Sequence, residues 1–362
     1  MQELDDIFSP YKKGWVYRVK NHSAGRLRNK RSTLAGLSSK QKAWGIVNRV
    51  PECVVKFGAA NIKSMPHLIK AADYIARNGN ICLEDQNGQT YQDKISYRSL
   101  LEDWQEKQLI PEETDRYSHG RRFILSMPRK TDEAKFKEAC REWAAHSFKG
   151  YDYLLAFHFP GNDKKTEQPH CHILLRTIGP DGVRMDLSNA DRMAMREHFA
   201  FCLNKYGIRA NSTERRVRGK VEKSPTQKDY NAVKRFHSDS ERNRAYAIAR
   251  KKARLPKNLQ ARIDEVSTAA QQNSSIRDHS AVRQAKQYRG QFNRKLAEAI
   301  RDLSQNGSPS DAALAVKLRA FQSALPKVQS QQQKALNQIR SQKEIARLEA
   351  MKKAQSARGK KR

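Results

Sequence analysis

Short apolar runs and amphipathic stretches alternate through the middle of the chain, between about residue 51 and residue 205. Apolar runs that stop at Gly or Pro are typical of strands, and apolar residues three and four apart are typical of helices. The pattern predicts strands at 53–57, 121–127, 151–159 and 170–178. It predicts helices at 65–77, 94–108, 132–147 and 189–205. The first helix should end at Asn78 and Gly79, because both residues tolerate a positive φ.

The order of these elements predicts the fold class. Only a polar loop separates the last two strands, so they should pair in the antiparallel direction. A helix precedes or follows each of the other strands. This order is typical of the α+β class, an antiparallel β-sheet with flanking helices, and we expect the helices on one face of the sheet.

The two ends of the chain have a different character. Residues 1–50 carry many Lys and Arg with few apolar neighbours, which predicts a basic, flexible arm able to follow phosphates. Beyond residue 220, Lys, Arg, Gln and Ala dominate. This composition predicts a basic, mostly helical tail over 221–362. Its helices are expected at 228–255, 280–304 and 310–356. The folded domain is therefore expected at 51–220.

The charge balance narrows the class of partner. Lys and Arg number 71 against 38 acidic residues, a formal net charge of +33. Such an excess indicates a polyanionic partner, with nucleic acid first and acidic membrane second. A charge-driven packing protein is the simpler alternative. No apolar run is long enough to span a bilayer and no apolar signal-peptide core is found, so we expect a cytoplasmic protein. The five dispersed cysteines should be free thiols.

Histidines give the strongest chemical signal. Alternation along a strand puts His170 and His172 on one face, about 7 Å apart, with Cys171 on the other face. His158 lies near the end of the preceding strand, and it would join the pair if the two strands are neighbours. Three neutral imidazoles leave positions open on a metal ion, as a catalytic ion requires. Packed or hydrogen-bonded histidines within the sheet are the alternative.

Residues 52–216 resemble the mobilisation relaxases of conjugative elements, the MobA/VirD2-like branch of the HUH endonuclease superfamily. The sequence His170-Cys171-His172, followed by three aliphatic residues, resembles the histidine strand of the family. The stretches 53–58 and 68–79 look like its first motif, and Phe123 to Met127 looks like its second. Residues 206–219 are similar to the segment after the last core helix of the family.

The resemblance implies roles for individual residues. Tyr74 would be the nucleophile, and His158, His170 and His172 would bind Mg²⁺ or Mn²⁺. Ser126 would touch the DNA next to the nick. Arginines near these motifs are candidate phosphate contacts, namely Arg121, Arg122, Arg215, Arg216 and Arg218. Other tyrosines compete with Tyr74 as the nucleophile, namely Tyr91, Tyr97, Tyr117, Tyr151 and Tyr153.

One departure from the family pattern concerns the loop between His158 and His170. This loop is long, and Phe159 and Pro160 stand where the family has an acidic residue. A carboxylate that orients a ligand imidazole would then come from Asp163 or Glu167.

The resemblance also implies a function and partners. The protein would nick and rejoin single-stranded DNA at an origin of transfer and so start the transfer of a plasmid or mobile element. Accessory relaxosome proteins and a type IV secretion coupling protein are the further partners, and translocation to a recipient cell with the DNA is implied. Three alternatives stay open: an HUH replication initiator or transposase, a non-catalytic DNA-binding accessory protein, and an RNA-binding protein. No GxxxxGK[ST] helicase motif is found.

Overall fold

The structure is a computed structural model. It describes residues 2–8, 16–20, 27–31, 34–59, 61–108, 110–163, 166–179, 182, 184–220 and 257–359. The chain divides into two compact units. The first consists of Met1–Arg218 and Leu296–Phe321, and the second of Gly219–Lys295 and Gln322–Arg362.

A six-stranded sheet forms the centre of the first unit. Its strands are β3 (Val54–Phe57), β4 (Leu83–Asp85), β5 (Thr90–Tyr91), β6 (Gly120–Ser126), β7 (Tyr153–His158) and β8 (His170–Arg176). They lie in the order β3-β6-β8-β7-β4-β5, and every pair of neighbours is antiparallel. A separate hairpin joins β1 (Val16–Lys20) and β2 (Leu27–Arg31). The antiparallel sheet confirms the predicted fold class.

Helices flank both faces of the sheet, whereas the sequence predicted helices on one face. The helices of this part are α1 (Gln2–Phe8), α2 (Ser39–Val47), α3 (Met65–Ile75), α4 (Lys94–Gln108), α5 (Glu133–Ser147) and α6 (Asn189–Lys205). Helices α5 and α6 pack on one face, and α3 and α4 on the other. The physical reason is visible in β7, every residue of which is buried. An apolar strand without alternation needs cover on both faces.

Two hydrophobic cores result from this arrangement. Phe123, Trp143 and Phe199 belong to the core between the sheet and α5 and α6. Leu68 and Trp104 belong to the core on the α3 and α4 face. The β4–β5 hairpin was not predicted, because strands of three and two residues are too short to show a period-2 pattern.

Residues 34–50 differ from the predicted flexible arm. In α2, Lys42 is fully buried and its Nζ lies 2.5 Å from Oε1 of Glu197 and 2.9 Å from the Phe8 carbonyl. The Asn211 amide donates to the Lys42 carbonyl at 3.0 Å. Lys42, a basic residue of this segment, thus forms a buried ion pair, which the amino-acid composition does not reveal. The division at residues 50 and 220 stays a prediction.

Residues 257–359 are mainly helical, as predicted for the carboxyl-terminal region. It contains α7 (Lys257–Gln271), α8 (Ser280–Asn306), α9 (Pro309–Ser323) and α10 (Gln331–Gly359). The helix predicted at 280–304 matches α8, and the one predicted at 310–356 is two helices separated by a segment that contains Pro326. The prediction for 228–255 lies outside the described residues. None of the described helices is long and apolar enough to cross a membrane. All five cysteines are free thiols, as predicted.

Candidate active site

Strand pairing brings the three predicted histidines together at one end of the sheet. His158 on β7 is directly opposite His170 on β8, and His172 follows two residues later on the same face. The ring centres of the three imidazoles are 4.9–5.0 Å apart. Cys171 points to the other face and is buried in the core there. The predicted histidine cluster therefore exists as a contact cluster of three rings.

Asp163 holds one of these rings in place. Its Oδ2 lies 2.8 Å from Nδ1 of His158, while Nε2 of the same ring lies 2.8 Å from the Ile75 carbonyl. Asp163 is one of the two loop carboxylates that were predicted to orient an imidazole of the cluster. Nδ1 of His170 lies 3.0 Å from the Gln168 carbonyl oxygen. Neither ring nitrogen of His172 forms a hydrogen bond with another residue in the described part of the chain.

Burial keeps the three imidazoles neutral. Loss of water lowers the pKa of His172 to about 3, and repulsion by the other two histidines and by Arg77 and Arg122 adds to this effect. Burial also lowers the pKa of His158 and of His170. Neutral imidazole is the form that binds a metal ion.

The cluster supplies a type of donor that metal ions take, three neutral imidazoles. A metal ion binds histidine nitrogens at ~2.0–2.1 Å, so each ring would have to offer one nitrogen to the ion. Both nitrogens of His158 already have partners. As the side chains stand, no group of three His, Cys, Asp or Glu within the described residues is arranged to hold an ion. A three-histidine site would require His158 Nε2 to exchange the Ile75 carbonyl for the metal.

Tyr74 lies beside the histidine cluster. It is the penultimate residue of α3, and its ring meets the His172 ring edge to face with centres 5.6 Å apart. Helix α3 turns Leu68, Ala72 and Ile75 toward the core, which leaves Tyr74 on the outer side of the helix. The side chain is 52% exposed, so its hydroxyl is accessible to a bound strand.

The competing tyrosines are less suited to nucleophilic attack. Tyr97 is fully buried and donates to Asp73 at 2.7 Å, and burial together with this carboxylate raises its pKa strongly. Burial raises the pKa of Tyr91 and of Tyr153 to about 12. Tyr117 is exposed, but it precedes the start of β6, about 20 Å along the strand from the residue that pairs with His170. Tyr151 is packed against the core.

Two guanidinium groups flank the Tyr74 ring. The Cζ of Arg77 is 5.2 Å from the ring centre, and that of Arg122 is 5.8 Å from it. Arg122 was a predicted DNA contact. Sequence reasoning missed Arg77, although its position three residues after Tyr74 on a helix was a usable signal, because residues i and i+3 are neighbours on a helix surface.

Ser126 and Arg121 have different positions relative to the cluster. Ser126 is directly opposite His170, and its hydroxyl donates to the Pro169 carbonyl at 3.1 Å. Alternation along β6 places Arg121 on the face opposite to Arg122 and Ser126. There, burial and the nearby Arg192 lower the pKa of Arg121. The structure thus brings Arg122 and Ser126 to the histidine face and leaves Arg121 on the other.

The predicted arginine cluster lies next to the edge strand β3. The backbone of Glu52 forms an isolated β-bridge with Asn211. Its carboxylate accepts hydrogen bonds from Thr213 and lies 3.4 Å from Nε of Arg218. Arg216 pairs with Glu214. Arg215 and Arg216 are exposed. Glu52 lies two residues before β3, whose first residue pairs with Ser126, so the segment lies at the histidine end of the sheet.

Three comparisons with known proteins found similar proteins. Residues 74–208 match the family described as "Relaxase: MobA/VirD2-like, nuclease domain". The T-DNA border endonuclease VirD2 of Rhizobium radiobacter is 25% identical over 199 residues, which cover 49% of this chain and 45% of the relative. A chain from the structure reported as "Molecular Basis of Vancomycin Resistance Transfer in Staphylococcus aureus" is 14% identical, with a TM-score of 0.29 over 45% of this chain and 99% of that chain.

The family match gives the class of this part of the chain, a nuclease domain. More particularly, residues 74–208 form a nuclease domain of the MobA/VirD2-like relaxase family, which confirms the family predicted from the histidine strand. The matched segment includes Tyr74, Ser126 and the three histidines. The chain spans less than half the length of the VirD2 relative.

Proposed function

We propose that this protein nicks and rejoins single-stranded DNA through a covalent bond between Tyr74 and the cleaved strand. The observation that carries the proposal is the contact between the exposed Tyr74 and a cluster of three neutral histidines. The relaxase nuclease match over the same residues supports it. No other described tyrosine combines exposure with contact to this cluster.

The chemistry is a transesterification. The Tyr74 oxygen, after losing its proton, attacks the phosphorus of one phosphodiester, and the bond from phosphorus to the 3′ oxygen breaks. The strand is left with a 5′-phosphotyrosyl end and a 3′ oxygen that takes up a proton. Because one ester replaces another, the reverse attack by a 3′-hydroxyl rejoins the strand without ATP.

Positive charge around Tyr74 supports this reaction. An unperturbed tyrosine ionises near pH ~10, so the phenolate needs stabilisation at neutral pH. The side chain of Arg122 makes no hydrogen bond or ion pair within the described residues, and its guanidinium is therefore available to a phosphate. We propose that His158, His170 and His172 bind Mg²⁺ or Mn²⁺, which would supply positive charge at the scissile phosphate. His172 itself is a poor proton acceptor, since its pKa is about 3.

The uncovered part of the sheet offers a path for the strand. Lys56 and Val54 are exposed on β3, on the same face as Arg122, Ser126 and His170. A cationic and partly apolar surface suits a single strand, whose phosphates need cations and whose bases stack on apolar groups. Arg215 and Arg216 would extend the phosphate contacts beyond the β3 edge.

The wider biological role follows from the family. We propose that the DNA is an origin of transfer, that cleavage there starts the transfer of a plasmid or mobile element, and that accessory relaxosome proteins and a type IV secretion coupling protein are partners. The protein would act in the bacterial cytoplasm and be translocated with the DNA. A replication initiator or transposase would share the chemistry and differ in its DNA target.

A covalent-adduct assay tests the proposal. The full chain is incubated with a random pool of single-stranded oligonucleotides and Mn²⁺ or Mg²⁺, and adducts that survive denaturing electrophoresis are recovered and sequenced. We expect a metal-dependent adduct that is absent with Tyr74→Phe and strongly reduced with His172→Ala. Tyr117→Phe is the matched control, since it removes an exposed hydroxyl far from the cluster and should leave the adduct intact.

An adduct that persists with Tyr74→Phe would move the nucleophile to another residue. Absence of any adduct from a pool of sufficient complexity would favour a non-catalytic DNA-binding protein. An adduct that forms equally well in EDTA would refute the metal site while leaving the tyrosine chemistry in place.

A further inference from the structure

Arg77 connects the tyrosine, its helix and the histidine cluster. Nε and Nη2 of Arg77 donate to Oδ2 of Asp163 at 3.0 and 2.8 Å, and Nη1 donates to the Tyr74 carbonyl at 3.2 Å. The same Asp163 oxygen holds His158. The guanidinium also covers the Tyr74 ring. One side chain therefore contacts both the candidate nucleophile and the carboxylate that orients a candidate ligand.

The backbone at this point is unusual. Arg77 has a φ of 49°, followed by Asn78 at 57° and Gly79 at 95°. Asn and Gly adopt the left-handed region readily, whereas an arginine does so at a cost in free energy. Such a conformation persists only where the surrounding structure determines it, and such residues cluster at functional sites. The hydrogen bonds to Asp163 and to the Tyr74 carbonyl hold the Arg77 side chain in this turn.

We propose that Arg77 is a positioning residue that fixes the end of α3, and with it Tyr74, against Asp163 and the histidine cluster. This inference rests on the proposed function and deepens it. Asp163 is only 5% exposed, so its bonds with Arg77 are shielded from water and hold more tightly than a surface ion pair. Tyr74 lies on the last turn of its helix, where an unrestrained helix frays.

The contrast with Arg122 separates two roles for the two cations. Three of the nitrogen donors of Arg77 are already engaged with Asp163 and the Tyr74 carbonyl, so this guanidinium is committed to the protein. Arg122 approaches the ring from β6 without such partners among the described residues. Arg77 should therefore affect the geometry of the attack, and Arg122 the binding of the phosphate.

Two measurements on the full chain test the inference. The first is the rate of adduct formation with an oligonucleotide recovered from the random pool. Arg77→Ala should lower kcat by about a hundredfold, the effect of a small misplacement of a reacting group, with little change in KM. Added guanidinium ion should restore part of the rate, and ammonium ion should not. Arg77→Lys should recover little, because an ammonium group cannot bond to Asp163 and the Tyr74 carbonyl as a fork does.

The second measurement needs no DNA. Hydrogen–deuterium exchange is followed in the amides at the end of α3, where Ala76 and Ile81 donate to carbonyls at 2.8 Å. Arg77→Ala should increase exchange there. Arg98→Ala is the matched control, because Arg98 pairs with the neighbouring Asp73 at 2.9 Å and does not contact Tyr74. It should leave both the adduct rate and the exchange near the wild-type values.

The adduct rate and the hydrogen–deuterium exchange together distinguish failure of the positioning role from failure of the proposed function. If the wild type forms no adduct, the proposed function fails, and the exchange experiment still decides whether Arg77 fixes the helix end. If the wild type forms the adduct and Arg77→Ala forms it at the same rate, the positioning role is refuted. Equal exchange in Arg77→Ala and wild type would refute it as well.

Discussion

Among the three histidines of the cluster, each imidazole has a different environment. His158 is held at both nitrogens, His170 at one, and His172 at neither within the described residues. His172 is also the ring that touches Tyr74. Burial of an imidazole without a hydrogen-bond partner penalises its charged form, and this explains why its pKa is the one lowered to about 3.

The depressed pKa of His172 predicts a stability that falls with acid. Its folded pKa of about 3 lies below the unfolded value near ~6.5, so the unfolded state binds the proton first. The stabilisation is fully present above pH ~6.5 and is lost as the pH falls toward 3. Between pH 7 and pH 5 the loss should be about 2 kcal/mol. Urea unfolding in EDTA, compared with His172→Gln, measures this contribution.

The substituted protein provides the reference, because its glutamine has no proton to gain and all other titrating groups are shared. The unfolding free energy of the wild type minus that of His172→Gln should decrease as the pH falls. A difference that stays constant from pH 7 to pH 5 would show that His172 titrates normally.

At the scale of elements, helix α2 illustrates packing that composition conceals. Residues 34–50 are basic and polar, yet α2 buries Lys42, Ala43 and Gly45. Gly45 faces Asn211, which donates a hydrogen bond to Lys42 and so joins this helix to the segment after α6. The helix belongs to the folded unit that contains the sheet.

Gly45→Ala tests this packing. A Cβ at residue 45 would lie 2.3 Å from Nδ2 and 2.6 Å from Cγ of Asn211, so one of the two groups must move. We expect a loss of about 1–3 kcal/mol in the free energy of unfolding, as for other overpacked sites. Chemical denaturation measures it. Gly161→Ala is the control, since a Cβ there meets no atom within 4 Å.

An increase in the free energy of unfolding of Gly45→Ala would contradict this packing. In a solvated, flexible helix, Gly→Ala stabilises because alanine has the higher helix propensity. A stabilising effect of Gly45→Ala would therefore return residues 34–50 to the arm that the sequence predicted.

At the scale of the whole molecule, the net charge of +33 sets how the protein meets DNA. DNA binding driven by excess positive charge is not specific for sequence. Its affinity depends on the salt concentration, because binding releases counterions from the phosphates. The fold then decides which cations can contribute at the active face. Arg121 and Arg122 are adjacent in sequence, and β6 directs them to opposite faces of the sheet.

This difference predicts distinct salt dependences. In a Tyr74→Phe background, which cannot form the adduct, Arg122→Ala should weaken binding of single-stranded DNA and reduce the slope of log affinity against log salt by about 0.7. Arg121→Ala is the matched control and should leave the slope unchanged. Fluorescence anisotropy over a range of salt concentrations measures both. Equal slope changes would show that the DNA contacts both faces, or that neither arginine contacts it.

Several features of the protein could be predicted from its sequence because they depend on local periodicity. The strand of His170 and His172, the amphipathic helix of Tyr74 and the left-handed Asn78 and Gly79 that follow this helix all agree with side-chain alternation and backbone preference. The relation between His158 and the other two histidines followed from the expected pairing of the two neighbouring strands, and the family resemblance agreed with it. The α+β class followed from the order of these elements.

Tertiary structure alone decided the remaining features, because they depend on contacts between residues distant in sequence. Asp163 reaches both Arg77 and His158 only after α3 packs on the sheet, 86 residues from Arg77 along the chain. Lys42 becomes an internal cation only because Glu197 meets it across 155 residues. Local patterns record which face of an element is apolar, but they carry no information on which distant charge will satisfy a buried one.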